Sequence, residues 1–227
     1  MGRRALRKIN PAIDLTRHLK TFDELPQPWQ AELLFGRSAP LEVEVGTGKG
    51  LFLRGAAASH PERDFLGIEV VKKYAAFAAA GLAKRGLANA VVVSGDGLRV
   101  FAERLPDDAL AAVHVYFPDP WWKKRHKKRR VMREAFVRDV ERTLQPGGRL
   151  HFWTDVEEYF QTTLEMLSRV TRLAGPFDVP EAAPEHDLDY RTHFERRTRL
   201  EGQTVYRAEF EKPAAGPRPC EPVSGVE

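Results

Sequence analysis

The amino-acid sequence predicts an α/β fold, a mostly parallel sheet of seven strands with helices on both faces. Three observations lead there. Short β-rich runs alternate with helical sequence from Leu41 onward, a glycine-rich turn follows the first run, and three successive runs finish on or beside a carboxylate. The first strand is LEVEV (41–45), closed by the turn GTGKG (46–50). DFLGIEV (64–70) is the second, and the long stretch VKKYAAFAAAGLAKR (71–85) after it reads as a helix. AVVVS (90–94), AAVHVYF (111–117) and RLHFWT (149–154) continue the series, each trailed by helix-like sequence, the rhythm of βαβ units. Between the last two, VMREAFVRDVERTL (131–144) sets Val131, Phe136, Val137, Val140 and Leu144 at helical spacing, and QPGG (145–148) ends it. TVYRAEFE (204–211) alternates as a late strand, with LAGPFDV (173–179) as its neighbour.

A chain of 227 residues with 42% hydrophobic content can bury one large core. One domain is expected over 21–212, between a basic N-terminal arm (1–20) free to be flexible and a Pro/Gly-rich, disordered tail (213–227). The single cysteine, Cys220, lies in that tail, which excludes a disulfide framework or a cysteine zinc site and fits a reducing cytoplasm. The seven histidines are dispersed without H-E-x-x-H or paired-ligand spacing, so no metal is expected; His114, on an apolar strand, reads as a satisfied core histidine. No apolar run follows the charged N-terminus and no window approaches eighteen apolar residues, so neither secretion nor a membrane is expected. Monomer and homodimer both stay open.

Net charge is +4, yet Lys123–Arg130 alone holds seven Lys/Arg plus His126, leaving the rest of the chain at about −3. Arg3, Arg4, Arg7, Lys8, Arg17 and Lys20 form a second basic cluster. Positive charge so localised suits a polyanion held at one face.

The turn EVGTGKG (44–50) is neither a Walker A loop, since Gly50 follows Lys49 and Val43 replaces the first glycine, nor a dinucleotide fingerprint, since its glycines fall at 46, 48 and 50. What remains is the E-x-G-x-G-x-G turn of an S-adenosylmethionine site. That cofactor carries a sulfonium and an ammonium, so its site calls for carboxylates where a nucleotide site offers cations. Glu44, Glu69 and Asp96 follow at the carboxyl ends of three consecutive strands, where open α/β sheets bind ligands. Asp119 ends the fourth strand between two prolines that restrict its backbone. Trp121, Trp122 and the basic run come next. A plain turn, core tryptophans and a solvated charge run are the bland alternatives; the functional reading is that the run grips a nucleic-acid backbone so that one base reaches the carboxylate and the methyl donor.

With EVGTGKG, GIEV, FPDPWWKKRHKKRR, WTDVEEY and THFERR in order, the chain from about Leu41 to Glu211 resembles the bacterial tRNA (guanine-N7)-methyltransferases. The resemblance implies a class I methyltransferase (Rossmann-like) fold and methyl transfer from S-adenosyl-L-methionine to N7 of guanosine 46 in the tRNA variable loop. It implies that Glu44, Gly46, Gly48, Glu69, Asp96 and Asp119 contact the cofactor, that Asp119 is catalytic, and that Lys123, Asp155, Thr192, His193, Phe194 and Glu195 bind substrate. Competing readings are a methyltransferase with an rRNA, DNA or protein target and a non-catalytic RNA-binding protein. A nicotinamide oxidoreductase fails on the glycine spacing.

Overall fold

The structure is a computed structural model and describes residues 6–180 and 190–214. Most of the predicted tail, Cys220 with it, and the first five residues of the arm lie outside the described residues. In chain order the elements are β1 (Leu19–Thr21), α1 (Glu32–Phe35), β2 (Leu41–Val45), α2 (Leu51–Ser59), β3 (Asp64–Glu69), α3 (Lys72–Ala83), β4 (Ala90–Ser94) and α4 (Gly97–Glu103). They continue with β5 (Leu110–Tyr116), α5 (Glu134–Thr143), β6 (Leu144–Thr154), α6 (Glu157–Val170), β7 (Ala174–Phe177), α7 (His193–Leu200) and β8 (Tyr206–Glu211).

The sheet runs β1-β4-β3-β2-β5-β6-β8-β7 among the described residues. Its first six strands are parallel, and β8 is antiparallel to both β6 and β7. Eight strands replace the expected seven. The addition is β1, paired with β4 from Leu19↔Val92 to Thr21↔Ser94, which draws Leu19 and Lys20 out of the assigned arm and into the sheet edge. His18 holds it there: its backbone carbonyl accepts from Val92 N at 2.8 Å, and its buried Nδ1 lies 3.0 Å from the Ala90 carbonyl. A second correction concerns the helix expected over 131–144, which starts at Glu134. Met132 N donates to the Tyr159 hydroxyl (3.2 Å) and Arg130 Nε to the Pro120 carbonyl (2.7 Å), holding the preceding chain outside the helix. Leu144 is buried as the first residue of β6, opposite Leu110, rather than as the helix's last turn.

Side chains alternate across a strand, so β2 sends Leu41, Val43 and Val45 to one face of the sheet and Glu42 and Glu44 to the other. The first face packs into the main core with Val100 and Phe101 of α4 and Phe136, Val137 and Val140 of α5. On the second, the small side chains Ala57, Ala75, Ala78 and Ala79 let α2 and α3 lie close on Phe65, Ala90 and Val92. β2 is central, with β3 on one side and β5 on the other. The chain therefore reverses its progress across the sheet between them, and such a switch point opens a crevice at the carboxyl ends of the strands. No helix among the described residues is long and apolar enough to cross a membrane.

Candidate active site

Strand order turns five scattered acids into one row. Asp96, Glu69, Glu44, Asp119 and Asp155 lie at or just past the carboxyl ends of β4, β3, β2, β5 and β6, which neighbour one another in that order. They are not equally exposed: Glu44 and Glu69 are buried, while Asp96, Asp119 and Asp155 face solvent.

The glycine turn shapes the floor of the crevice. Gly46 sits at φ 85°, and a Cβ built there would meet nothing within 4 Å, so the backbone borders open space that a side chain would fill. Gly50 serves packing instead, because a Cβ there would come within 2.8 Å of the Ala78 Cβ on α3. Gly48 N donates to Glu69 Oε2 at 2.8 Å, and Val71 N donates to Glu69 Oε1 at 2.8 Å. Glu69 thus ties the turn to the end of β3, and with four acceptor positions on a carboxylate it keeps two for a ligand. Asp96 caps α4, accepting from Leu98 N at 2.9 Å.

Glu44 differs from its neighbours. Its Oε2 is buried and has no hydrogen-bond partner among the described residues. Burial, reinforced by the nearby Glu69 charge, pushes its carboxyl up to about 8. A partnerless buried carboxyl oxygen facing a second acid is costly in the free protein and becomes favourable when a cation arrives. Together with the open space at Gly46, this donor set fits a cationic sulfonium and ammonium compound.

Asp119 stands on a loop braced from several sides. Phe117 (φ 50°) and Trp121 (φ 44°) both take left-handed backbone, rare for large side chains, and Phe117 N donates to the Trp153 carbonyl at 2.8 Å. Arg130 pins the loop at Pro120 and lays its guanidinium over Tyr159, 4.5 Å from the ring centre. Lys123, next along, is exposed.

From the other side comes α7. Thr192 caps it, accepting from Glu195 N at 2.9 Å, and Phe194 stacks on Phe117 with ring centres 6.2 Å apart, which places the Thr192–Glu195 run against the Asp119 loop. His193 is the first residue of the helix; its side chain lies outside the described residues. Glu195 is already engaged: Oε2 accepts from Arg191 N at 2.7 Å, and Oε1 lies 3.4 Å from both Arg199 and Arg207.

One group escaped the sequence reading. Arg191 Nη1 donates to the Tyr116 hydroxyl at 2.8 Å, and its guanidinium lies 4.9 Å over Trp153. Tyr116 Oη is 2.9 Å from His114 Nδ1, and His114 Nε2 is 2.8 Å from Glu42 Oε2, whose other oxygen pairs with Arg63. Although burial works to raise Glu42, the hydrogen bond from His114 and the Arg63 pair hold it down to about 2, while burial drives His114 down to about 4. His114 is therefore neutral near pH 7 and carries its proton on Nε2, so every donor in the chain Arg191, Tyr116, His114, Glu42 points the same way. His114 is the satisfied core histidine expected. The chain links Arg191, next to Thr192, to Tyr116, three residues before Asp119, and to Trp153, two before Asp155. Replacing Tyr116 by Phe is expected to leave Arg191 Nη1 and His114 Nδ1 without the hydroxyl they share, at about 1–3 kcal/mol. The predicted readout is a Tm lower by about 4–8 °C and a reduced kcat with cofactor affinity unchanged.

Among the described residues no group of three His, Cys, Asp or Glu is placed to hold a metal ion. Sheet order, switch-point crevice and a glycine turn rimmed by acids define a class I S-adenosylmethionine-dependent methyltransferase. Residues 38–208 match the family described as "Putative methyltransferase". The tRNA (guanine-N(7)-)-methyltransferase of Rhodopirellula baltica is 50% identical over 93% of this chain and 80% of its own; that of Alkalilimnicola ehrlichii is 38% identical over 92% and 86%. The chain belongs to the bacterial tRNA (guanine-N7)-methyltransferase family. In fold it is similar to an S-adenosylmethionine-dependent O-methyltransferase of Thermotoga maritima, with a TM-score of 0.52 at 17% identity over 83% of this chain and 65% of that one.

Proposed function

We propose that the protein transfers a methyl group from S-adenosylmethionine to N7 of guanosine 46 in the tRNA variable loop. Methylation of tRNA guanine at N7 is the activity for which its relatives are named. The observation that carries the reading here is the position of Asp119, between a cation-seeking crevice and a basic run. When bound, S-adenosylmethionine supplies an electrophilic methyl carbon on a sulfonium; Glu44, Gly46, Gly48, Glu69 and Asp96 are the residues to hold it. Lys123, Arg125, Lys128 and Arg129 are exposed and suited to phosphates, which give affinity and orientation without reading sequence.

Guanine N7 presents an in-plane lone pair, so no proton has to be removed before it attacks. Positioning then supplies much of the acceleration, several kcal/mol where approach distance and angle are fixed. Positive charge develops on the purine as the new bond forms, and the Asp119 carboxylate stabilises it. Asp155 and Thr192 are the residues we assign to accept from N1–H and the 2-amino group, the edge that separates guanine from adenine. Glu195, with both oxygens occupied, serves this edge by holding Arg191 and Thr192 in place.

The test is nucleoside mapping. Protein, labelled methyl donor and a tRNA transcript are expected to yield 7-methylguanosine at one nucleotide, and none when adenosine replaces guanosine at position 46. Label retained in the adenosine transcript would move the target elsewhere in tRNA. Label entering rRNA instead of tRNA would overturn the substrate.

A further inference from the structure

We propose that the tryptophan pair after Asp119 forms a stacking subsite for the nucleobase adjoining the target guanine, with Trp122 as its platform. The proposal rests on tRNA being the substrate and adds to it a second base-binding position.

Asp119, Pro120, Trp121, Trp122, Lys123 and His126 line a recess of about 390 Å³. Left-handed backbone at Trp121 turns the chain between the two indoles and gives them different surroundings. Trp121 is half-buried and braced: the His126 ring meets it edge-on at 5.7 Å, and the Arg129 guanidinium lies 5.1 Å over it. Trp122 is left 63% exposed. The hydrogen bond from Arg130 to the Pro120 carbonyl fixes the loop beneath both. The result is an aromatic surface on an anchored loop, open to solvent, with the Lys123 cation at its rim. An indole face takes any nucleobase, and a neighbouring cation takes its phosphate, so this pairing is the chemistry of single-stranded RNA binding.

The recess and the cofactor crevice share Asp119. Among the described residues that line the recess, Glu44, Gly46, Gly48, Glu69 and Asp96 are all missing. A base stacked on Trp122 therefore has its N7 away from the methyl donor and is not the target; it is a neighbour along the strand. Holding that neighbour unstacked from the target would let the guanine swing toward Asp119, as enzymes that modify a base inside a stack require. The left-handed backbone that turns Trp122 outward lies at Trp121, two residues from the Asp119 carboxylate, and backbone held in such a region clusters at ligand-binding sites.

The experiment compares wild type, Trp122→Ala and Trp122→Phe on intact tRNA and on transcripts abasic at the nucleotide 5′ or 3′ of the target. On intact tRNA, Trp122→Ala is expected to lower kcat/KM about 10- to 100-fold, the worth of one base–aromatic stack, with Trp122→Phe within about fivefold of wild type. On one of the two abasic transcripts wild type should fall by a similar factor and Trp122→Ala should add no further loss. A Trp122→Ala penalty equal on all three RNAs, or a Trp122→Ala rate within twofold of wild type on intact tRNA, overturns the subsite. Because Trp122 is exposed, its removal leaves the core intact. Failure of the substrate reading is separately visible, as wild type that transfers no methyl group to intact tRNA.

Discussion

Glu44→Gln is expected to stabilise the ligand-free protein while weakening cofactor binding. The folded carboxyl is raised to about 8 from its ordinary 4.5. A proton held more tightly in the folded chain contributes stability that is complete below about pH 4.5 and lost as the pH climbs to about 8. The loss is on the order of 4 kcal/mol. A neutral amide escapes it, so the variant's Tm should exceed wild type by about 8–16 °C at pH 8.5 and match it closely near pH 5. Binding should move the other way. Without the charge, S-adenosylhomocysteine, which keeps the ammonium, should bind about 30-fold more weakly or worse, the cost of removing one partner from a buried charged pair. Titration calorimetry at pH 6.5 in buffers of different ionisation enthalpy should find nearly one proton released by wild type on binding and none by the variant. Parallel Tm–pH curves, or equal proton release, would remove Glu44 from the cofactor site.

How much of this was legible beforehand follows from the range of each signal. The strands over 41–45, 64–70, 90–94 and 111–117 stand where the β-rich runs put them, because composition and strand ends are local properties, whereas β6 starts at Leu144, opposite Leu110, and takes in the QPGG (145–148) expected to end a helix. The acids were legible for the same reason: each needs only its own strand to place it. β1 was not. Three residues carry no usable period, and its register depends on His18 reaching Ala90, 72 positions away. The early start given to α5 failed because contacts to Pro120 and Tyr159 overrule the apolar spacing of Val131. The partners of Glu195 were not legible either, because nothing in THFERR announces that Arg191 N and Arg207 will meet its carboxylate. The Arg191 network did leave a trace. Glu42, His114, His151 and Glu209 are polar at alternate positions of strands otherwise apolar enough to be buried, and they share one face of the sheet. Polar residues recurring on a face expected to be covered indicate a hydrogen-bonded layer, which is where the stacked His114 and His151 rings lie, 4.6 Å apart.

Asp119→Ala and Asp119→Asn are expected to lower kcat alike, by about 10²–10³-fold, with the affinities for tRNA and S-adenosylhomocysteine within about threefold of wild type. The equality is the informative part. Asn keeps the shape and one acceptor oxygen but not the charge. If the carboxylate works by stabilising positive charge as it forms on the purine, an amide is no better than a methyl group. Should Asn retain most of the activity, the residue acts as a hydrogen-bond acceptor that orients the base. A parallel loss of tRNA affinity would assign it to docking. The charge of Asp119 is already felt inside the protein: burial drives the Tyr159 phenol up to about 12, and Asp119 adds to that shift against the opposing pull of Arg130. In the free protein the carboxylate is exposed, where water screens it. Its effect on the reaction must grow when RNA covers the loop and excludes that water. A truncated substrate that carries the guanine but leaves the basic run empty should therefore lose kcat as well as affinity, and the gap between wild type and Asp119→Asn should narrow on it. Single-turnover rates on a short variable-loop oligonucleotide measure both.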